Sequence, residues 1–335
     1  MSATSARSRQ TDRSGTGCRP APSCPSHPWR RCTCGTPGSV HGVTAEPPLT
    51  DGELTLRLSQ QDEQVVTFSA SGSLGTVEVR RTAPGAGLLS WALDGGPEVA
   101  QRAVRLVTEY AFSELGLERL QIEVDPELRA SARVAIRSGY RREGVLRGGV
   151  LVDGERRDVA VYGMRSDDPR PDTLLGWTSL MDSTLPKKRV IAHVVVRDTS
   201  GRLLLCQVSY KKDLELPGGV VEPDEDPATG ASREMEEELG VALPLLGVLA
   251  IDWLPRWEGW GDAIEILYDG GVHDPSLLDS LSPDGFEILG LSWHAPDALD
   301  GLVSPLNARR LPQVLKEPSM LHNLRDGAPI RPAGD

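Results

Sequence analysis

Apolar and polar positions along the chain form two patterned stretches separated by a short one with little period. In the first, "TVEVRR" and "GLLSWAL" read as strands, and "LERLQIEVDP" as another. Between them, "PEVAQRAVRLVTEYAFSELG" predicts a long amphipathic helix with Ala103, Leu106, Val107, Tyr110 and Phe112 largely on one side. In the second, "VIAHVVV" and "RLLLCQV" flank the turn signal "RDTSG" and predict a hairpin. "GVLAIDWLP", "DAIEILYDG" and "EILGLSWHAPDAL" are further strands, with "RWEGWG" a loop between the first two. The order strand, strand, helix, three strands, helix suits a mixed sheet between helices. "SDDPRPDTLLGWTSLMDSTLPKKR" has few signals of either kind and reads as a linker over 169–187.

The helix of the second stretch, "DPATGASREMEEELG", carries its own punctuation. Asp226 is a good N-cap, Pro227 stands where its missing N–H costs nothing, and Gly240 marks the end. At about 100° per residue, Ala228, Ala231, Met235 and Leu239 make an apolar stripe, whereas Glu234, Glu237 and Glu238 share another arc. Glu236 points elsewhere. Like charges at this spacing repel by a few tenths of a kcal/mol, so three aligned carboxylates invite a cation. Hard oxygen ligands on one helix suit Mg²⁺ or Mn²⁺ better than zinc.

Composition bounds the rest. With 335 residues, 39% of them hydrophobic and 25% charged, the chain is long enough for two domains. A net charge of −12 argues against coating a nucleic acid polymer. The longest mostly apolar run, 241–251, is too short to span a bilayer and contains Pro244. Residues 1–46 stand apart: they are rich in Ser, Pro, Thr, Gly and Arg and have no apolar period. They predict a disordered basic tail, or sequence upstream of a true start at Val43. Cys18, Cys24, Cys32 and Cys34 lie there with His27, at spacings that fit no common zinc pattern. The remaining Cys206, in an apolar strand, suits a reduced cytoplasmic protein.

From Gly219 the second half runs G-x5-E-x7-R-E-M-x-E-E-x-G-V, through Glu225, Arg233, Glu234, Met235, Glu237, Glu238, Gly240 and Val241. This resembles the Nudix box at every defining position. The resemblance implies an α/β/α sandwich over 188–320, with 321–335 a flexible C-terminus, and a metal-dependent hydrolase of nucleoside diphosphates linked to a further group. Glu237, Glu238, Glu234 and the Gly219 carbonyl would be metal ligands by that resemblance, with Glu234 a ligand or the base that activates water and Arg233 orienting a glutamate. Trp253, Trp257 and Trp260 offer stacking faces for a nucleobase. Glu287 falls where Nudix relatives often place an extra acid or base. His193 and His294 read as core or surface residues, since no second His or Cys stands at a ligand spacing.

The first half, with "SARVAIRSGYRREGVLR" after its helix and strand, resembles the GNAT acetyltransferases, especially those acting on protein N-termini. A mixed sheet with helices over 47–168 is implied. The resemblance breaks where acetyl-CoA pyrophosphate would lie. There "GGPEVA" puts Pro97, which lacks an N–H, and the anionic Glu98 in place of bare backbone donors. Leu128 replaces the asparagine usual after "DP", and the segment before the strands is too short for the helices that wall the acceptor site. A scaffold or homodimer surface is as open a role as acetyl-CoA binding. Three functions therefore stand: a hydrolase working through the second half, an acetyltransferase with an accessory Nudix domain, and a metabolite sensor without turnover. The complete box disfavours the third.

Overall fold

A computed structural model of the protein describes residues 47–330. The expectations for the tail with its four cysteines, and for the last five residues, lie outside them. Two eight-stranded mixed sheets dominate, each with its own core.

The first sheet has the order β1-β2-β3-β4-β5-β6-β8-β7. Its strands are β1 (Leu49–Thr50), β2 (Thr55–Gln61), β3 (Val65–Ala70), β4 (Gly75–Ala83), β5 (Ala86–Leu93), β6 (Arg119–Val124), β7 (Arg141–Val152) and β8 (Glu155–Arg165). Only β5 and β6 run parallel, and they pair over just Ala86–Leu88 against Arg119–Gln121. Their connection contains helix α1 (Gly96–Ser113), and α2 (Arg129–Arg137) follows β6. The apolar side read from the sequence is the buried one: Ala103, Val107 and Tyr110 enter the core, with Leu106 and Phe112 packed at its margin. The segment before β4 holds strands rather than acceptor-site helices, as its length implied.

The stretch expected to be a linker contains a helix, α3 (Leu174–Thr184), capped by the Thr173 side chain accepting from the Gly176 N–H at 3.1 Å. It packs on β7, where the Arg142 N–H donates to Ser183 Oγ at 3.1 Å. Gly176 has no room for a Cβ, which would collide with the Arg170 carbonyl.

The second sheet comprises β9 (Arg189–Asp198), β10 (Leu203–Val208), β11 (Gly218–Val220), β12 (Val248–Leu254), β13 (Ala263–His273), β14 (Ile288–His294), β15 (His322–Arg325) and β16 (Ala328–Pro329). The order is β14-β10-β9-β13-β12-β15-β16, with β11 on β9. The expected hairpin exists only at its turn. β9 and β10 share one register pair, Leu203 with Arg197, and β10 then pairs along β14. Alternation on β9 explains the layers. Ala192, Val194 and Val196 face Ala231, Met235 and Leu239 of α4 (Pro227–Leu239), whereas Val195 joins Leu311 and Val314 of α6 (Pro305–Lys316). The short α5 (Leu277–Ser280) lies between β13 and β14. Residues 321–330, part of the stretch expected to be flexible, instead extend the sheet: β15 pairs parallel with β12, and Leu324 is buried in the α6-side core. No helix among the described residues is long and apolar enough to cross a membrane.

Candidate active site

The loop before α4 and the helix itself bring most of the box residues together. α4 starts as its sequence dictates, with Asp226 accepting from the Ala228 and Thr229 N–H groups at 2.9 and 3.1 Å, and ends on Gly240 at φ 70°. Gly218, at φ 122°, has its α-carbon so close to the Ala192 carbonyl that a side chain would collide. That turn aims its N–H at Glu238, whose Oε2 accepts at 2.9 Å.

Arg233 is the hub. Its Nη2 and Nε donate to the two oxygens of Glu225 at 2.8 and 3.3 Å, and Nη1 donates to Glu234 and to Glu237, each at 3.0 Å. A further bond from Nη2 reaches the Val220 carbonyl at 3.2 Å. The Arg233 bond thus holds Glu225 below the usual carboxylate range. Glu234 is displaced the other way, because burial outweighs the same guanidinium. Its carboxylate lies against the α-carbon of Gly219, where a Cβ would be 2.8 Å from Oε1.

Glu238 is 8% exposed and has no cationic side chain within ion-pair distance among the described residues. Burial pushes its carboxyl up to about 7 against the Gly218 N–H, the charges of Glu234 and Glu287 push the same way, and His193 opposes them. Glu287 is exposed on the turn before β14, and its charge also raises Glu234. Glu236 is exposed and outside this group. No three His, Cys, Asp or Glu side chains among the described residues are gathered closely enough to hold an ion. Arg233 Nη1 holds both Glu234 and Glu237 here. The donors nonetheless suit a hard divalent cation: carboxylate oxygens, one of them buried without an ion-pair partner among the described residues, beside a glycine backbone that lets a carboxylate approach.

Trp257 and Trp260 bridge each other at the β12–β13 turn, exposed by 66% and 60%, and the Arg189 guanidinium lies 4.3 Å from the Trp260 ring centre. Among the described residues neither indole hydrogen-bonds a glutamate of α4. Trp253 is also half-exposed, on β12.

On the other face of the sheet lies a buried ionic cluster. Arg310 of α6 donates to Asn307 Oδ1 at 2.8 Å, to Asp252 Oδ2 at 3.3 Å and to Glu265, which also contacts His193 Nδ1 at 2.6 Å. Asn307 in turn donates to Glu215 at 2.5 Å. Burial opposes the charge on Glu265, but Arg310 and His193 overcome it and hold the carboxyl well below its ordinary value. His193 is held above its own by Glu265, again against burial. His193 is thus a partly buried member of this ionic cluster, and His294 bonds Ser292 Oγ at 2.7 Å.

In the first half, a cleft of about 250 Å³ separates the start of α1, at Gly95, Pro97 and Glu98, from Arg133 and Arg137 of α2. Leu128 caps α2 without a side-chain bond. The two arginines were not singled out in the sequence, where they are ordinary members of a basic helix.

A family model described as NUDIX domain matches residues 187–316. A "MutT-like protein" of Streptomyces ambofaciens is 31% identical over 149 residues, which cover 43% of this chain and 87% of that protein. The chain belongs to the NUDIX family. The family makes it a pyrophosphohydrolase acting on acid anhydrides, and the G-x5-E-x7-R-E-M-x-E-E-x-G-V run on loop and α4 is its NUDIX box. A second family model, described as Acetyltransferase (GNAT) domain, matches residues 47–141 ahead of it. "Probable N-acetyltransferase YjcK" of Bacillus subtilis (strain 168) is 32% identical over 121 residues, covering 33% of this chain and 67% of that protein. The crystal structure of MutT protein from Methanosarcina mazei Go1 aligns with 21% identity over 41% of this chain and 100% of its own, with a TM-score of 0.35.

Proposed function

We propose that this NUDIX enzyme hydrolyses a nucleoside diphosphate linked to a further group, using Mg²⁺ or Mn²⁺ held by Glu234, Glu237, Glu238 and the Gly219 carbonyl. One observation carries the reading: a buried carboxylate, Glu238, feels the charge of Glu234 and has no ion-pair partner among the described residues. Charge left uncompensated at such a place is costly. A divalent cation supplies the missing charge and neutralises the diphosphate's own. The chain's residues then divide the work. Arg233 fixes Glu225, leaving its Nη1 to steer Glu234 and Glu237; the Gly218 N–H fixes Glu238. Glu234, partly buried beside Gly219, is placed to be a ligand or to take a proton from water. Trp257 and Trp260 offer indole faces to the base, and Glu287 adds a carboxylate at the rim.

The test is turnover of nucleotide sugars, dinucleotides and oxidised nucleoside triphosphates with Mg²⁺. Glu237→Gln and Glu238→Gln should each lose several orders of magnitude in kcat while remaining folded, and Glu236→Gln should be close to unchanged. Equal losses at all three positions would break the assignment.

The cleft between α1 and α2 favours a second reading, acetyl-CoA binding in the first half. Pro97 and Glu98 remove a donor and add an anion at the helix start, yet Arg133 and Arg137 bring cations across from it. Calorimetric titration of the full chain with acetyl-CoA decides: micromolar affinity supports this reading, and no saturable heat removes it.

A further inference from the structure

Strand β10 ends at Val208, and the chain loops out over 209–214 before it returns to β11. The loop is pinned along its length. At its neck Cys206 and Glu215 exchange two backbone hydrogen bonds, at 2.8 and 2.9 Å. The Ser209 N–H donates to the Glu287 carbonyl at 2.9 Å, the Leu214 N–H donates to the Leu302 carbonyl at 2.8 Å, and Lys211 pairs with Glu215. Tyr210 stands in this loop, 66% exposed.

Its surroundings are those of the α4 site. The residue whose carbonyl anchors Ser209 is Glu287, whose charge reaches Glu234 and Glu238. The turn before Glu287 is itself tied to the end of α4: the Asp284 N–H donates to the Glu238 carbonyl at 3.2 Å, and Asp284 Oδ1 accepts from the Phe286, Glu287 and Ile288 N–H groups at 3.1, 3.1 and 2.8 Å. Partial burial raises the Tyr210 hydroxyl to about 12, the charges of Glu215, Glu287 and Glu238 push the same way, and Cys206 contributes least. The phenol therefore keeps its proton near neutral pH. It nevertheless has no hydrogen-bond partner among the described residues. Glu215 is taken by Lys211 and by Asn307 Nδ2 at 2.5 Å, and Glu238 Oε2 by the Gly218 N–H.

We propose that Tyr210 is a catalytic residue of this site, its hydroxyl donating a hydrogen bond to a phosphoryl oxygen of the diphosphate. A fixed donor aimed at an oxygen that gains charge during reaction lowers the barrier without being consumed. As the oxygen of water bonds to phosphorus and the bridging P–O bond breaks, the phenol keeps its own proton, so the balance is that of hydrolysis alone. A neutral donor suits a place among acids. A cation there would be captured by a carboxylate, as Lys211 is by Glu215, whereas the phenol stays free for the substrate.

The proposal rests on the hydrolase reading, and one substitution with two readouts keeps the two apart. Tyr210→Phe removes the hydroxyl and keeps the ring. In the full-length protein it should lower kcat by about ten- to a hundredfold on the best diphosphate of the panel above, with circular dichroism unchanged. Calorimetric titration with α,β-methylene-ADP and Mg²⁺, whose bridge resists hydrolysis, should show binding weakened by about three- to tenfold in the variant. If no diphosphate is turned over but the variant binds the analogue more weakly, the hydrolase reading fails and the contact stands. Equal kcat in wild type and Tyr210→Phe overturns the proposal and leaves the hydrolase reading intact. So does a loss confined to Tyr210→Ala, which would assign the ring and not the hydroxyl. No turnover and no binding of the analogue by the wild type overturns both.

Discussion

Replacing Gly219 with alanine puts the geometry of the glutamate cluster to a direct test. The new methyl would lie 2.8 Å from both the carboxyl carbon and Oε1 of Glu234, and ordinary contact begins near 3.4 Å, so the carboxylate must retreat by roughly 0.6 Å. Glu234 shares Arg233 Nη1 with Glu237, so the displacement is passed to a second carboxylate. A misplacement of about 1 Å in a reacting constellation costs about a hundredfold. A shift of roughly 0.6 Å should then lower kcat by about ten- to a hundredfold, or about 1.4–2.7 kcal/mol of transition-state stabilisation. Stability should change by less than about 1 kcal/mol, because what yields is the end of a flexible side chain and alanine restricts the unfolded chain. Gly218→Ala is the contrast. There the Cβ would run into backbone, at φ 122°, and folding should suffer. Steady-state kinetics with Mg²⁺ and thermal unfolding of both variants separate the cases. Wild-type kcat in folded Gly219→Ala would refute the claim that Glu234 works from this position.

Arg310→Met should destabilise the second domain by about 3–5 kcal/mol, since it strands the buried carboxylates of Glu265 and Asp252. For about 140 residues that is on the order of 10 °C or more in Tm; adding Glu265→Gln and Asp252→Asn should recover part of it, and no recovery would show that the charges are not the cause. The pH dependence has a definite sign. Glu265 is held below its ordinary 4.5 and His193 above its ordinary 6.5, so their mutual contribution is complete between those values. It is lost as Glu265 protonates below that window and as His193 deprotonates above it. The Tm gap between wild type and Glu265→Gln should therefore narrow at both ends of a pH series, and a constant gap would contradict the pairing.

Helix α4 was legible because its signals are local. Asp226, Pro227 and Gly240 fix where it begins and ends, and helical spacing puts Glu234, Glu237 and Glu238 on one arc of it. The first domain's strands and α1 were readable for the same reason, through their apolar periods. α3 was not: Leu174, Leu175 and Trp177 are exposed while only Gly176 and Leu180 are buried, so its apolar residues mark no single face. β15 owes its place to parallel pairing with a strand some 70 residues earlier, which no local pattern records. The Arg310 cluster is hidden for a related reason. Its carboxylates come from β12 and β13, 58 and 45 positions away, and each alone looks like any charged residue on a strand. Arg233, by contrast, was expected to hold one glutamate and holds three.

α3 is fastened to the first sheet, and only Leu185, Pro186, Lys187 and Lys188 separate its last residue from the first of β9. Fully extended, so short a leash reaches about 14 Å, and Pro186 stiffens it further. Two domains joined this closely meet at effective concentrations in the millimolar range or above, so even a feeble affinity between their surfaces would be saturated. The same four residues, exposed and carrying two lysines, are where trypsin should first sever the halves.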